Sequence, residues 1–103
     1  MQQFDIVENN NPLTRSRYPF AVVLQHDRVP SASTVIVAPL TATNSSLASS
    51  WLHPPINLGG RSFLIMTEEL AAAHRRSLGR IIASAELERY AIIAAIDLCF
   101  TGI

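Results

Sequence analysis

Apolar and polar positions alternate over Phe4-Asp5-Ile6-Val7, the pattern of a short first strand. Glu8 to Arg17 breaks it with three asparagines, Pro12 and two arginines, so a loop comes next. Tyr18 to Gln25 is a second strand. Its centre, Phe20-Ala21-Val22-Val23-Leu24, is continuously apolar, which predicts burial on both faces. His26 to Ser33, interrupted by Pro30, is the next loop. Thr34-Val35-Ile36-Val37-Ala38 is a third strand, closed by Pro39, and Thr41 to Ser50 is small, polar and irregular. Leu52 to Leu58 carries Pro54-Pro55 and then a strand end. Gly59-Gly60 followed by Arg61 to Met66 predicts a β-hairpin with a two-residue turn. Thr67 to Ala73 reads as a short helix, with Thr67 as its cap and Glu68 and Glu69 in the first turn, where the macrodipole favours acids. His74-Arg75-Arg76 is a basic loop, Leu78 to Ile82 a last short strand, and Ser84 a cap for a terminal helix.

That terminal segment, Glu86 to Ile103, is a helix apolar on nearly every side. A surface helix carries one apolar stripe and a polar face. Here Leu87, Ala91, Ala94, Ala95 and Leu98 form one stripe, and Ile92, Ile93, Ile96, Cys99 and Phe100 form another. One stripe packs on the chain's own sheet. The other needs a partner, most simply a second copy of the chain. Many strands and then a helix make an α+β fold, mostly antiparallel.

Composition narrows the function classes. The chain has 103 residues, enough for a single domain, 1–103, with a modest core. Apolar residues make up 49% and charged residues 16%, the latter low against a usual ~25%. Part of the surface is therefore apolar, and self-association covers it. Formal net charge is zero, so nothing global favours nucleic acid or an anionic membrane. No apolar run is long enough to span a bilayer, and no signal-peptide pattern opens the chain. The lone Cys99 reads as a buried small hydrophobe, and a cytoplasmic location fits. All eight basic residues are arginine, which excludes a P-loop lysine and a Schiff-base lysine. No His/Cys cluster at metal spacing, glycine-rich phosphate loop or Gly-x-Ser-x-Gly elbow is present, so no cofactor or metal is expected.

Several segments in fixed order resemble the CcdB-type toxins of bacterial type II toxin–antitoxin pairs. They are Met1-Gln2-Gln3-Phe4, Ser16-Arg17-Tyr18, Val22-Val23-Leu24-Gln25 with Asp27, Val35 to Leu40, and Met66-Thr67. Leu78-Gly79, Ala95-Ile96-Asp97-Leu98 and then Phe100, Gly102 and Ile103 at the end complete the set. The resemblance runs almost end to end. It implies an SH3-like barrel of antiparallel strands, the fold shared by CcdB and MazF toxins, with a small accessory sheet and a C-terminal helix. It implies a homodimer built around that helix and a protein that is not an enzyme. Such toxins bind the A subunit of DNA gyrase and trap its cleaved-DNA complex. A cognate CcdA-like antitoxin neutralises them through a disordered segment that folds on the toxin. Direct contact with nucleic acid, other than through antitoxin or gyrase, and contact with membrane are not implied.

The family's gyrase contact is the last three residues, Trp-Gly-Ile in its best-known member. Gly102 and Ile103 match; Thr101 replaces the tryptophan. A tryptophan stacked on arginine is worth ~1–2 kcal/mol when desolvated, and threonine cannot stack. Three outcomes stay open: weaker gyrase poisoning, a different target, or antitoxin binding alone. The resemblance assigns target binding to Thr101, Gly102 and Ile103, antitoxin binding to Arg28, Val29, Asp97 and Phe100, and the dimer interface to Ile96, Cys99 and Ile103. Gly102 also reads as a C-cap glycine, and Asp97 as an ion-pair partner near the dimer axis. Trp51 reads as a core residue or loop anchor. The alternative is a MazF/Kid-like endoribonuclease with Arg15, Arg17, His26, Arg61 and His74 to Arg76 as candidate groups. General acid–base cleavage needs two such groups together, and their spacing brings no pair together.

Overall fold

A computed structural model of the chain describes residues 1–30, 33–44 and 48–103. Its strands are β1 (Asp5–Asn9), β2 (Phe20–Val23), β3 (Thr34–Ala42), β4 (Pro55–Leu58), β5 (Arg61–Ile65), β6 (Ala71–His74) and β7 (Leu78–Ser84). A helix, α1 (Arg89–Thr101), comes last, and 3₁₀ turns occupy Thr67–Glu69, Arg75–Ser77 and Glu86–Glu88. Every strand pairing is antiparallel. The sheet runs β4-β5-β3-β2-β1-β7, with β6 also on β3. The α+β class, the curled antiparallel sheet, the small β4–β5 extension and the C-terminal helix agree with the barrel expected. Of the loop expected over His26 to Ser33, residues 31 and 32 lie outside the described residues, as do 45–47 of the irregular stretch Thr41 to Ser50.

Pro39 does not close the third strand, which runs through it to Ala42. On one side β3 pairs with β2, Ala21 opposite Pro39. On the other it pairs with β6 up to Val37↔Ala71 and with β5 from Leu40↔Ile65 onward. Proline, which has no N–H, therefore sits where that edge changes partner. Its carbonyl still accepts the Met66 amide at 2.9 Å. The Gly59-Gly60 turn is as expected: φ is +59° and +84°, the positive pair a two-residue hairpin requires.

The helix expected over Thr67 to Ala73 is instead one 3₁₀ turn and then β6. Alanine's helix preference is a few tenths of a kcal/mol per residue. Pairing Leu70's successors with Thr34 to Val37 satisfies a whole row of backbone groups, and that prevails. Thr67 is not a side-chain cap; it is fully buried and its Oγ1 has no hydrogen-bond partner among the described residues.

Two apolar clusters lie on opposite faces of the sheet. One joins Phe4, Ile6, Val22, Ala38, Leu40, Phe63 and Ile65 to Ala85 and Ile92. The other joins Val7, Ala21, Val23, Val35 and Val37, with Ala73 of β6 and Leu78 of β7 against it. Strand β2 thus contributes to both, which accounts for its unbroken apolar run. Because β6 and β7 stand at different edges yet reach one cluster, the sheet curls around the second cluster as an open half-barrel.

Phe4 links the sheet to the helix approach. It holds φ +68°, unusual for a bulky residue, fixed by its amide on the Val23 carbonyl (2.6 Å) and its carbonyl on the Ala85 amide (2.7 Å). Ser84 Oγ accepts the Glu86 amide as the expected cap, but it starts a 3₁₀ turn, and α1 proper begins at Arg89. The helix buries Ile92 and Ala95 and half-buries Ile96 and Leu98. This stripe takes members from each of the two expected. Burying Ile92 contributes about 1.5–3 kcal/mol.

The orphaned Thr67 hydroxyl predicts a stabilising substitution. Thr67→Val keeps the shape and removes a buried donor without a partner, so urea denaturation should show stability raised by about 1 kcal/mol. A loss of that size would mean that the hydroxyl is satisfied.

Candidate functional site

The C-terminal end of α1 collects most of the residues that the resemblance assigned. Gly102 adopts φ +77° and its amide bonds the Leu98 carbonyl at 3.0 Å, so it is the αL residue that terminates the helix. That bend fixes where Ile103 leaves the helix, and Ile103 is 92% exposed. Thr101 Oγ1 donates to the Asp97 carbonyl at 2.6 Å, so its hydroxyl is engaged by its own helix. The face Thr101 offers to a partner is a methyl group. Phe100 is 69% exposed, and Asp97 is exposed without an ion pair among the described residues.

Cys99 is exposed, against the expectation of burial. It lies about two helical turns beyond the fully buried Ile92, and from there to the end of the helix every residue is exposed. The last turn therefore overhangs the fold. Ile96 is half-buried against the chain's own core, so only part of it is available to a partner. Leu87, Tyr90 and Ile93 extend the exposed apolar surface toward the start of the helix. Trp51, expected as a core or anchor residue, is 83% exposed and shares a concavity with Pro54, Pro55 and Ala91 of α1. Its loop is held instead by His53, whose Nε2 pairs with the Glu68 carboxylate.

Arg28 and Val29 lie elsewhere, on a turn after β2 in which the Val29 amide bonds the His26 carbonyl and the Arg28 amide bonds His26 Nδ1. Among the described residues no hydrogen bond or ion pair joins this turn to 97–103. Arg28 and Val29 are not brought into one patch with Asp97 and Phe100 by direct contact. The candidate nuclease groups are dispersed. The Arg17 guanidinium lies over Tyr18, Arg61 over Phe63 beyond the hairpin turn, and His26 on the β2–β3 loop. Only His74, Arg75 and Arg76 form a group, with Arg75 also reaching the His26 cavity.

The open seam of the half-barrel was not foreshadowed by the pattern of the chain. It is a cleft of about 380 Å³ between β6 and the Asn9–Tyr18 loop, floored by Ala21, Val37 and Ala71 to Ala73. Asn9 Nδ2 donates to the Tyr18 carbonyl and Thr14 Oγ1, which pins that loop. Tyr18 Oη donates to Glu69 Oε2 at 2.6 Å across the mouth. Three consecutive alanines were the only signal, and small residues alone do not say that backbone pairing will set them in a seam.

Two perturbed acids support this geometry. Glu8 is held below the usual carboxylate range by its hydrogen bonds from Arg80, side chain first, which tie β1 to β7. Tyr18 is pushed up, chiefly by burial and then by the hydrogen bond to Glu69. Folding thus favours the protonated phenol. The stability it contributes is present below the ordinary tyrosine value and is lost as pH rises through the folded one. Ultraviolet titration should find Tyr18 ionising above an ordinary tyrosine. Glu69→Gln should lower that midpoint only in part, because burial is the larger cause. A full return to the ordinary value would contradict that ranking.

Residues 3–102 match the profile of a family described as CcdB protein. Comparison with individually curated proteins returns no match. Among the described residues no helix is long and apolar enough to cross a membrane.

Proposed function

Because the chain belongs to the CcdB family, whose members are toxins of toxin–antitoxin systems, we propose that it acts as a gyrase-directed poison of reduced affinity, neutralised by a CcdA-like antitoxin. The observation that carries this reading is the overhanging end of α1: an αL glycine that aims an exposed terminal isoleucine beside Phe100. A protein target finds there an apolar anchor and a backbone that admits close approach. The action is binding to the A subunit of gyrase in its cleaved-DNA state, with no bond made or broken by the toxin.

The chain acts as a homodimer. Cys99, Ile103 and the outer side of Ile96, with Ile93 beside them, make an apolar surface that one chain leaves uncovered. A two-fold partner covers Cys99, Ile96 and only the inner side of Ile103, and sets two copies of residues 101–103 near one axis with the outer side of each Ile103 left for the target. Phe100 and Asp97 on this end, and Arg28 and Val29 on the separate turn, engage an antitoxin segment that folds on the toxin. Spanning both requires a long segment, as coupled folding supplies. Sedimentation at micromolar concentration should show a dimer. Cys99→Asp should dissociate it without unfolding the monomer, since that charge is buried only in the dimer. A monomeric parent contradicts the assignment.

Thr101 limits target affinity, since a methyl group gives too little area for a hot spot. Thr101→Trp should strengthen binding to the gyrase A subunit about five- to thirtyfold, consistent with ~1–2 kcal/mol from an aromatic–arginine contact. Removing residues 101–103 should abolish binding and leave the melting transition in place. If Thr101→Trp binds no gyrase and the truncated chain is as toxic as the parent, the target surface lies elsewhere.

A further inference from the structure

The zero net charge conceals an uneven distribution. Five of the eight acids, Glu68, Glu69, Glu86, Glu88 and Asp97, lie on α1, on the turn leading into it or on the turn packed against it. The opposite character gathers where β6 ends and the β2–β3 loop enters β3. Thr34 pairs with His74, and the Arg75 amide bonds the Ser33 carbonyl at 2.9 Å, so the two segments are adjoined. Ser33, His74, Arg75 and Arg76 line one open concavity of about 350 Å³. Arg75 also lines the neighbouring concavity with His26, Asp27 and Val29. Arg28 stands exposed on that same turn.

Within the first concavity every lining residue offers a hydrogen-bond donor. Two are guanidinium groups, fixed in charge and shaped to pair with two oxygens of a phosphate. His74 and the Ser33 hydroxyl add two more donors. Asp27 lines the neighbouring concavity with Arg75, and its Oδ1 accepts the Gln3 amide at 2.9 Å. None of the four offers a seat for an apolar side chain; the apolar lining, Val29, Pro30 and Val35, belongs to the neighbouring concavity. A phosphodiester backbone carries its charge in a regular row and needs no such seat.

We propose that this corner is a docking surface for the phosphate backbone of nucleic acid. The contacts are made by Arg28, Arg75 and Arg76, with His26, His74 and Ser33 as further donors. It has no aromatic platform and no element shaped to enter a groove, so it positions without reading sequence. The surface is distinct from the helix end; it shares Arg28 with the turn proposed above for the antitoxin, so a bound antitoxin segment would compete for that one contact and leave Arg75 and Arg76. Total charge, which argues against nucleic acid as a bulk property, does not bear on a local patch.

Fluorescence anisotropy of the dimeric or monomeric protein, as it exists in solution, with a short labelled duplex DNA tests this. Binding is expected at low salt, insensitive to sequence. Its logarithm should fall against log salt with a slope of about −3 for three phosphate contacts. Arg28→Glu and Arg76→Glu should each weaken it about tenfold and reduce the slope by about one. Arg61→Glu, on the distant hairpin, should leave it unchanged. All three positions are exposed, and melting curves check that the variants fold; Arg76→Gln is the milder substitute should Arg76→Glu unfold. No binding at low salt overturns the proposal, as does equal loss in Arg61→Glu. Polyglutamate bound as tightly as DNA overturns it in favour of acidic peptide. Inorganic phosphate bound at the corner with DNA excluded reduces it to a small-anion site and equally overturns it.

Discussion

Strand β3 is the element on which the rest depends. It is nine residues long, and it must satisfy two edges that need different neighbours. One edge is given to β2 throughout. The other is divided at Pro39 between β6 and β5. That division sends β4 and β5 to one side as the small extension and β6 to the other as the margin of the half-barrel. The segment between, Met66 to Leu70, has to turn back in the gap, and it does so as the 3₁₀ turn against which α1 rests. Backbone groups leave no cheap alternative, because an unpaired buried N–H or C=O costs as much as a lost hydrogen bond.

From this division the two faces acquire different fates. The face toward Ile6, Leu40 and Ile65 is closed by Ile92 and Ile96 of α1 and by Ile56 of β4. The face toward Val7, Val23 and Val37 has no helix. It is closed by the curl of the sheet, as far as β6 and β7 can reach, and left open as the cleft beneath Tyr18. A helix that closes only one face is longer than its seat. Its last turn overhangs, and the exposed Cys99, Phe100 and Ile103 are the result of that excess length. The exposed end of α1 is in this sense what remains after the core is complete.

The charged groups obey the same partition. Five of the eight acids lie on α1 and the turns around it, and Arg28, Arg75 and Arg76 gather where β6 meets the loop entering β3. Exposed pairs such as Glu8–Arg80 and Glu86–Arg89 contribute little to stability. Their effect is on which surfaces are left with a charge to offer. A chain without lysine offers that charge as guanidinium, the group best shaped for oxyanions.

Local chemistry alone determined much of this protein. Two adjacent glycines between apolar runs favour a two-residue hairpin, and they form one here. The run Phe20 to Leu24 needed no partner to announce burial on both faces. Gly102 at the end of an apolar helix was legible as its αL terminus. The ordered segments identified the family. Features that depended on distant partners were not legible. Pro39 reads as a strand end unless the edge it leaves unpaired is known to change neighbours there. Leu70 to Ala73 prefer helix until β3 offers them a row of backbone partners. The buried stripe of α1 mixed the two that periodicity allowed, because the position of the sheet, not the spacing of residues, selects the azimuth. Cys99 has the composition of a core residue and lies past the end of the core. Arg28 and Val29 share no hydrogen bond or ion pair with Asp97 and Phe100 among the described residues, whereas His74 to Arg76 are joined to Ser33 by the fold. In each case the deciding contact joins residues far apart in the chain, and only the tertiary structure contains it.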